Sequence, residues 1–204
     1  MAGCREISLG FTDAPASEGL HICYIYGDEK ERQEVIAGFL AGGLRGNEKV
    51  LCLADAPGRT AILDRLAALG VSDAALTLAD SAAGYCPSGR FVPDVTLDLV
   101  RDFYDHAVGK EGYAGARGTG QMSWAADRML ADPADLIRYE ARVNQVLEKH
   151  PYTACCQYDA RLFGGQMLMD VLSIHPMMII RGQIVRNPFY IEPEAFLREF
   201  ENRQ

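Results

Sequence analysis

The residues with the clearest chemical potential lie just after an apolar run: Gly27-Asp28-Glu29-Lys30-Glu31-Arg32-Gln33 follows His21-Ile22-Cys23-Tyr24-Ile25-Tyr26. A glycine between a strand and a helix is where nucleotide-binding folds seat phosphate, because the first N–H groups of a helix are unpaired and its dipole is positive there. That chemistry needs GxxxxGK[ST], in which backbone wraps the phosphates, a lysine reaches them and a hydroxyl holds magnesium. Here one glycine is followed by the carboxylates of Asp28, Glu29 and Glu31, which repel a phosphate, and Lys30 and Arg32 offset this only in part. The second glycine-rich stretch, Gly112 to Gly120, has no GxGxxG opening a helix directly after a strand; it reads as a tight strand-to-loop passage where backbone approaches backbone.

Other chemistries find less support. His21, His106, His150 and His175 show no HxxxH or HExxH spacing, so no metal is expected; a site would need folding to bring His21 and His175 near Asp159 or a cysteine. His175, before Pro176, reads as a helix-end residue bonding its own last carbonyls. Ser123 lacks a GxSxG elbow and no nucleophile has a base at a recognisable spacing, so no catalytic residue and no cofactor is expected. The cysteines at 4, 23, 52, 86, 155 and 156 form no CxxC pair, and four sit in apolar runs, which is the pattern of buried reduced thiols. Cys155 and Cys156 should face opposite sides of a strand. Ala2-Gly3-Cys4 has a lipobox flavour, but no apolar segment precedes it, so lipidation is not expected.

The elements that must position these groups follow from periodicity. Continuous apolar runs at 21–26, 49–54, 75–79, 153–158 and 177–180 read as buried strands, and the alternation requires another within 112–120. Between them lie amphipathic helices: one begins at Asp28 with a capping-box pattern to Glu31, one carries Ile62, Leu63, Leu66 and Leu69, one enters through Pro93-Asp94, and one opens at Asp132-Pro133. A fifth runs through Phe163 to Leu172, and a short one spans Glu192 to Phe200. Apolar strands separated by such helices predict a single α/β domain over 21–204, a three-layer sandwich with a mostly parallel sheet, preceded by a flexible leader at 1–20. The 204 residues, 49% hydrophobic and 24% charged, suffice for a sizeable core. A net charge of −8 argues against direct contact with nucleic acid. No stretch approaches a membrane span, and a cytoplasmic location is expected.

Six ordered blocks carry a family resemblance: His21-Ile-Cys-Tyr-Ile-Tyr, Gly118-Thr-Gly-Gln-Met-Ser-Trp124, Tyr139-Glu140-Ala-Arg-Val-Asn144, Cys156-Gln-Tyr-Asp159, His175-Pro176 and Asn187-Pro-Phe-Tyr190. From about His21 to Pro193 the chain resembles the MEDS domain, a sensory domain named from methanogens, methylotrophs and a dichloromethane-responsive regulator. The resemblance implies a sensor of small hydrocarbon or one-carbon derivatives joined to a kinase or DNA-binding output, on a RecA-like fold whose phosphate loop is degraded. That agrees with the independent reading of Gly27 to Gln33. Gln121 stands where many relatives carry glutamate, which weakens a carboxylate role there. No output element follows within the 204 residues, so a sensor acting alone, a piece of a longer regulator and signalling by association all stay open.

Ligands of an open parallel sheet bind at the carboxyl ends of its strands. This predicts a rim of Tyr26, Asp28, Asp55, Gln121, Trp124, Tyr158 and Asp159 around a small organic molecule. Each has a structural alternative: Asp28, Asp55 and Asp159 suit helix caps, and Trp124 suits an aromatic core. Gln121, an amide in an apolar and glycine-rich stretch, needs partners. Arg117, Arg142 and Arg161 are candidates for an anion, with Arg142 more suited to a solvated helix face. The expected function is a non-catalytic signal-input domain that binds a small molecule and regulates an output partner. The alternatives are a diverged nucleotide hydrolase using Asp55, Gln121 and Asp159, or a protein-interaction module. A homodimer fits the sensor role, though no residue fixes one.

Overall fold

The computed structural model describes residues 5–203; Cys4 and the lipobox-like tripeptide lie outside them. The strands are β1 (Glu6–Ile7), β2 (Ala16–Ser17), β3 (His21–Tyr26), β4 (Glu48–Leu53), β5 (Leu76–Ala79), β6 (Gly115–Gln121), β7 (Thr153–Asp159), β8 (Met177–Ile180) and β9 (Gln183–Arg186). The helices are α1 (Glu29–Arg45), α2 (Ala56–Ala68), α3 (Ser81–Tyr85), α4 (Pro93–Asp105), α5 (Pro133–Leu147), α6 (Gly165–Ile174) and α7 (Pro193–Glu201). The main sheet has the order β5-β4-β6-β7-β3-β8-β9 and is parallel except for the β8–β9 edge. The expected α/β sandwich is therefore the observed one. No helix among the described residues is long and apolar enough to cross a membrane.

Local sequence explains most boundaries. Asp28 Oδ1 accepts from the Glu31 amide at 2.8 Å to start α1, Asp55 Oδ1 does the same for Gly58 at 2.8 Å to start α2, and Asp132 accepts from Ala134 at 2.9 Å to start α5. Proline occupies the first turn of α2, α4, α5 and α7, where its missing N–H costs nothing.

Three segments differ from the sequence expectation. Within the stretch expected as a leader, Glu6–Ile7 pairs with Ala16–Ser17, and Ile7 and Leu9 are buried. Arg5 fastens that hairpin, donating to Glu18 at 3.1 Å and to Glu48 of β4 at 2.7 Å. The loop expected from Asp80 to Phe91 opens with α3, capped by Asp80 on the Ala83 amide. Strand β9 was not anticipated, because Gln183–Arg186 is too short and too exposed to show a period. Its turn is legible in retrospect: Arg181 and Gly182 both have positive φ, 49° and 68°, as a two-residue hairpin connection requires.

The sheet separates two cores. Ile22, Tyr24, Tyr26, Cys52 and Cys155 pack against α1 and α2 with Ile36, Phe39, Leu40, Ile62 and Leu66. On the other face Cys23, Ala116, Cys156 and Tyr158 pack against α4 to α7 with Leu97, Leu136, Tyr139, Val143 and Phe196. Alternate residues of one strand thus enter different cores.

Candidate functional site

That alternation divides the expected rim. On the α1–α2 side, Asp55 and Gln121 are reciprocally bonded: Gln121 Nε2 donates to Asp55 Oδ2 at 3.1 Å, and the Asp55 amide donates to Gln121 Oε1 at 3.2 Å. Tyr26 is buried under the Arg32 guanidinium, 5.2 Å from its ring centre, and burial pushes its hydroxyl up to about 12. Asp28 is exposed and spends its side chain on the α1 cap. Asp159 caps no helix; it accepts from the Arg161 amide at 2.9 Å and from its guanidinium at 2.8 and 2.6 Å, and this pairing holds its carboxyl below the usual range.

Arg32, which sequence reasoning treated only as a partial charge offset, organises this side. It is 1% exposed, donates to Gln157 Oε1 at 2.7 Å and to Glu29 Oε2 at 2.9 Å, and forms a further close contact to Glu29 Oε1. Gln157 Nε2 in turn donates to Thr119 at 2.7 Å, whose hydroxyl donates to the Cys155 carbonyl at 2.7 Å. The turn that a phosphate loop would occupy thus carries an ion pair between the buried Arg32 and the exposed Glu29. Arg117 is buried too, pairing closely with Glu48 and donating to the Phe39 carbonyl at 2.9 Å. Arg142 reaches Asp94 at 2.6 Å on the surface.

Trp124 and Tyr158 lie on the opposite face. Trp124 stacks on Tyr85, with centroids 4.9 Å apart, and tilts against Phe91 at 5.0 Å. Its indole N–H is buried without a partner among the described residues. Between β4, β6, β7 and the helices α4 and α5 lies an apolar cavity of about 230 Å³. Leu53, Val100, Phe103 and Val143 line it with Tyr85, Tyr139 and Tyr152. Gly118 and Gly120 make room for the tyrosines: a Cβ at Gly118 would sit 1.5 Å from the Tyr152 hydroxyl, and one at Gly120 would sit 1.9 Å from that of Tyr85. The glycine-rich strand therefore serves side chains approaching a sheet face, where the sequence suggested backbone meeting backbone. Burial raises the hydroxyls of Tyr85 and Tyr139 well above their ordinary value, keeping them neutral donors.

Beside the cavity, Tyr158 enters a buried polar cluster that the sequence did not reveal. Its hydroxyl donates to Glu140 Oε1. Glu140 Oε2 lies 3.1 Å from His21 Nε2, 3.6 Å from His175 Nε2 and 3.5 Å from Cys156 Sγ, and all four residues are buried. Asn144 Oδ1 meets His21 Nδ1 at 3.1 Å, and His175 Nδ1 bonds the Val171 carbonyl at 2.7 Å, the helix-end role expected of it. Burial pushes the Glu140 carboxyl up, but the His21 hydrogen bond, His175 and the Tyr158 hydroxyl outweigh it and hold the group below its ordinary value. Burial lowers His175 to about 3, with His21 adding to the shift. The Cys156 thiol is raised well above its usual value by burial and by Glu140. The fold thus brings His21 and His175 beside a cysteine, the meeting the sequence left to folding, with Asp159 elsewhere; the signal for Glu140 was an acid on the apolar side of a helix next to Tyr139.

Comparison with known proteins fits this architecture. The family model MEDS, described as MEthanogen/methylotroph, DcmR Sensory domain, matches residues 20–176. The transcriptional repressor DcmR of Methylorubrum extorquens is 27% identical over 156 residues, covering 76% of this chain and 57% of that relative. The chain therefore spans little more than half the repressor's length. Among solved structures, the KaiC-like protein PH0186 of Pyrococcus horikoshii superposes with a TM-score of 0.56 at 14% identity, covering 86% of this chain and 80% of that one. The flagellar accessory protein FlaH of Methanocaldococcus jannaschii does so with a TM-score of 0.52 at 13% identity, covering 89% and 84%. At such identities the likeness is one of fold, the RecA-like α/β sandwich.

Proposed function

The chain belongs to the MEDS family of sensory domains, and from that premise we propose that it is a non-catalytic input module that holds a small, mostly apolar organic molecule between its sheet and α4–α5. The observation that carries this is the cavity of about 230 Å³ floored by Gly118 and Gly120. An apolar cavity of about 150 Å³ is large enough to hold benzene. The Tyr85, Tyr139 and Tyr152 hydroxyls supply a few donors for a polar or halogen atom, the usual composition of a small-molecule site. Occupancy would press on α4 and α5 and so alter what a DNA-binding or kinase partner meets, in a protein working in the cytoplasm, as a monomer or a homodimer. In this proposal the expected rim residues Asp55, Gln121, Tyr26 and Asp159 brace the turns, and Trp124 and Tyr158 back the cavity side.

Thermal unfolding tests it. Dichloromethane or benzene should raise Tm in a concentration-dependent way, since a ligand of the folded state alone stabilises it. Val100→Trp, which fills the cavity, should remove that response. A rise with ATP and magnesium and none with the apolar probes would overturn the proposal in favour of a nucleotide enzyme.

A further inference from the structure

The Glu140 cluster has the properties of a metal centre. We propose that His21, Glu140, Cys156 and His175 bind one divalent transition ion of the zinc class, in a closed tetrahedral site. The proposal is independent of the ligand cavity, although Cys156 borders both.

Geometry is the first support. The four donor atoms lie within 4.8 Å of one another. Zinc bonds of about 2.0–2.1 Å to nitrogen or oxygen and about 2.3 Å to sulfur make the edges of a tetrahedron about 3.3 Å for N–O and about 3.5 Å for edges to sulfur. The observed separations are 3.1 and 3.6 Å from Glu140 to the two histidines, 3.6 Å from Cys156 to His21 and 3.5 Å from Cys156 to Glu140.

Proton placement is the second. Asn144 Nδ2 donates to the Ile174 carbonyl at 2.8 Å, which fixes its amide so that Oδ1 accepts from His21 Nδ1. The Val171 carbonyl likewise accepts from His175 Nδ1. In their neutral form both rings therefore present Nε2 lone pairs to the centre, the orientation that outer partners impose on metal-binding histidines. His175 Nε2 is buried with no hydrogen-bond partner among the described residues. Without an ion, a proton on His21 Nε2 bridges it to Glu140 Oε2; a metal cation takes that proton's place between the two acceptors. Tyr158 holds the second Glu140 oxygen.

Charge is the third. On binding, the ion displaces the Cys156 thiol proton to solvent and forms a metal–thiolate bond. Its two positive charges are then matched by one thiolate and one carboxylate, leaving a neutral buried centre. With four protein ligands the site has no open position, which suits a structural or regulatory ion.

Cobalt(II), added to protein stripped with a chelator and desalted, tests this. One equivalent should bind, with intense visible bands of a tetrahedral ion and a thiolate-to-cobalt charge-transfer band, and Zn²⁺ should displace it. Cys156→Ser should abolish the charge-transfer band, and Glu140→Gln should weaken binding at least 10-fold, while His106→Ala, on the surface, should change neither. Substoichiometric binding, or a charge-transfer band that survives Cys156→Ser, overturns the proposal. Should the variants not fold, X-ray absorption of the zinc-loaded wild type decides: one sulfur at about 2.3 Å with three nitrogen or oxygen neighbours at about 2.0 Å is expected, and a shell without sulfur overturns it.

Discussion

The two faces of the sheet handle buried polarity in opposite ways. Toward α1 and α2, the buried guanidinium groups of Arg32 and Arg117 each meet a carboxylate, Glu29 and Glu48, and the adjoining Gln157, Thr119, Gln121 and Asp55 satisfy one another. Toward α4 to α6, a carboxylate is buried among imidazoles, a thiol and a phenol, next to an apolar cavity. The first face pairs its buried guanidinium groups with carboxylates, although Arg117 Nη2 lacks a hydrogen-bond partner among the described residues and the turn at 27–30 stays exposed. The second keeps an apolar cavity beside donor atoms aimed inward, the face on which the proposed ligand and ion would sit.

Replacing Glu140 with alanine should affect this contrast most. It strips the common partner from His21, Tyr158 and His175 and should cost about 3–5 kcal/mol in urea unfolding. Arg32→Met should cost less, because Glu29 can turn to solvent, and a larger loss at Arg32 than at Glu140 would break the comparison. Acid should act next, and through the same face. His175 is held at about 3 in the fold, below its ordinary value of about 6.5. The unfolded chain therefore takes up the proton first, and stability present at neutral pH falls from about pH 6.5 downward. The loss between pH 7 and pH 5 should be about 2 kcal/mol, and a His175→Asn variant should lose much of that slope. The lowered Glu140 carboxyl adds to the loss at still lower pH.

Gly120→Ala should destabilise by about 1–2 kcal/mol, the Tyr85 ring moving into the cavity to relieve the contact. It should also weaken the response to an apolar probe, and an unchanged probe response would place the ligand elsewhere. Asp55→Ala, on the charge-paired face, should cost about 1 kcal/mol through the α2 cap and leave probe binding intact. Loss of probe binding there would return the ligand to the carboxyl-end rim.

The family, the sheet's parallel character and most helix starts were legible in the sequence because they are local. Asp28, Asp55 and Asp132 announce their caps, and runs such as Thr153–Asp159 announce a strand buried on both sides. The hairpin of Glu6–Ile7 with Ala16–Ser17 was hidden because two-residue strands carry no period. What only the tertiary structure decided is which face each group enters and whom it meets. Tyr158 and Asp159 are neighbours in the chain, yet one joins Glu140 in the core and the other pairs with Arg161 at the strand end. His21 reaches Glu140 and Cys156 across separations of 119 and 135 residues. Composition and spacing hold no record of such a meeting, because parallel strands pair only after long crossovers and the order of strands in the sheet is set by packing of the whole chain.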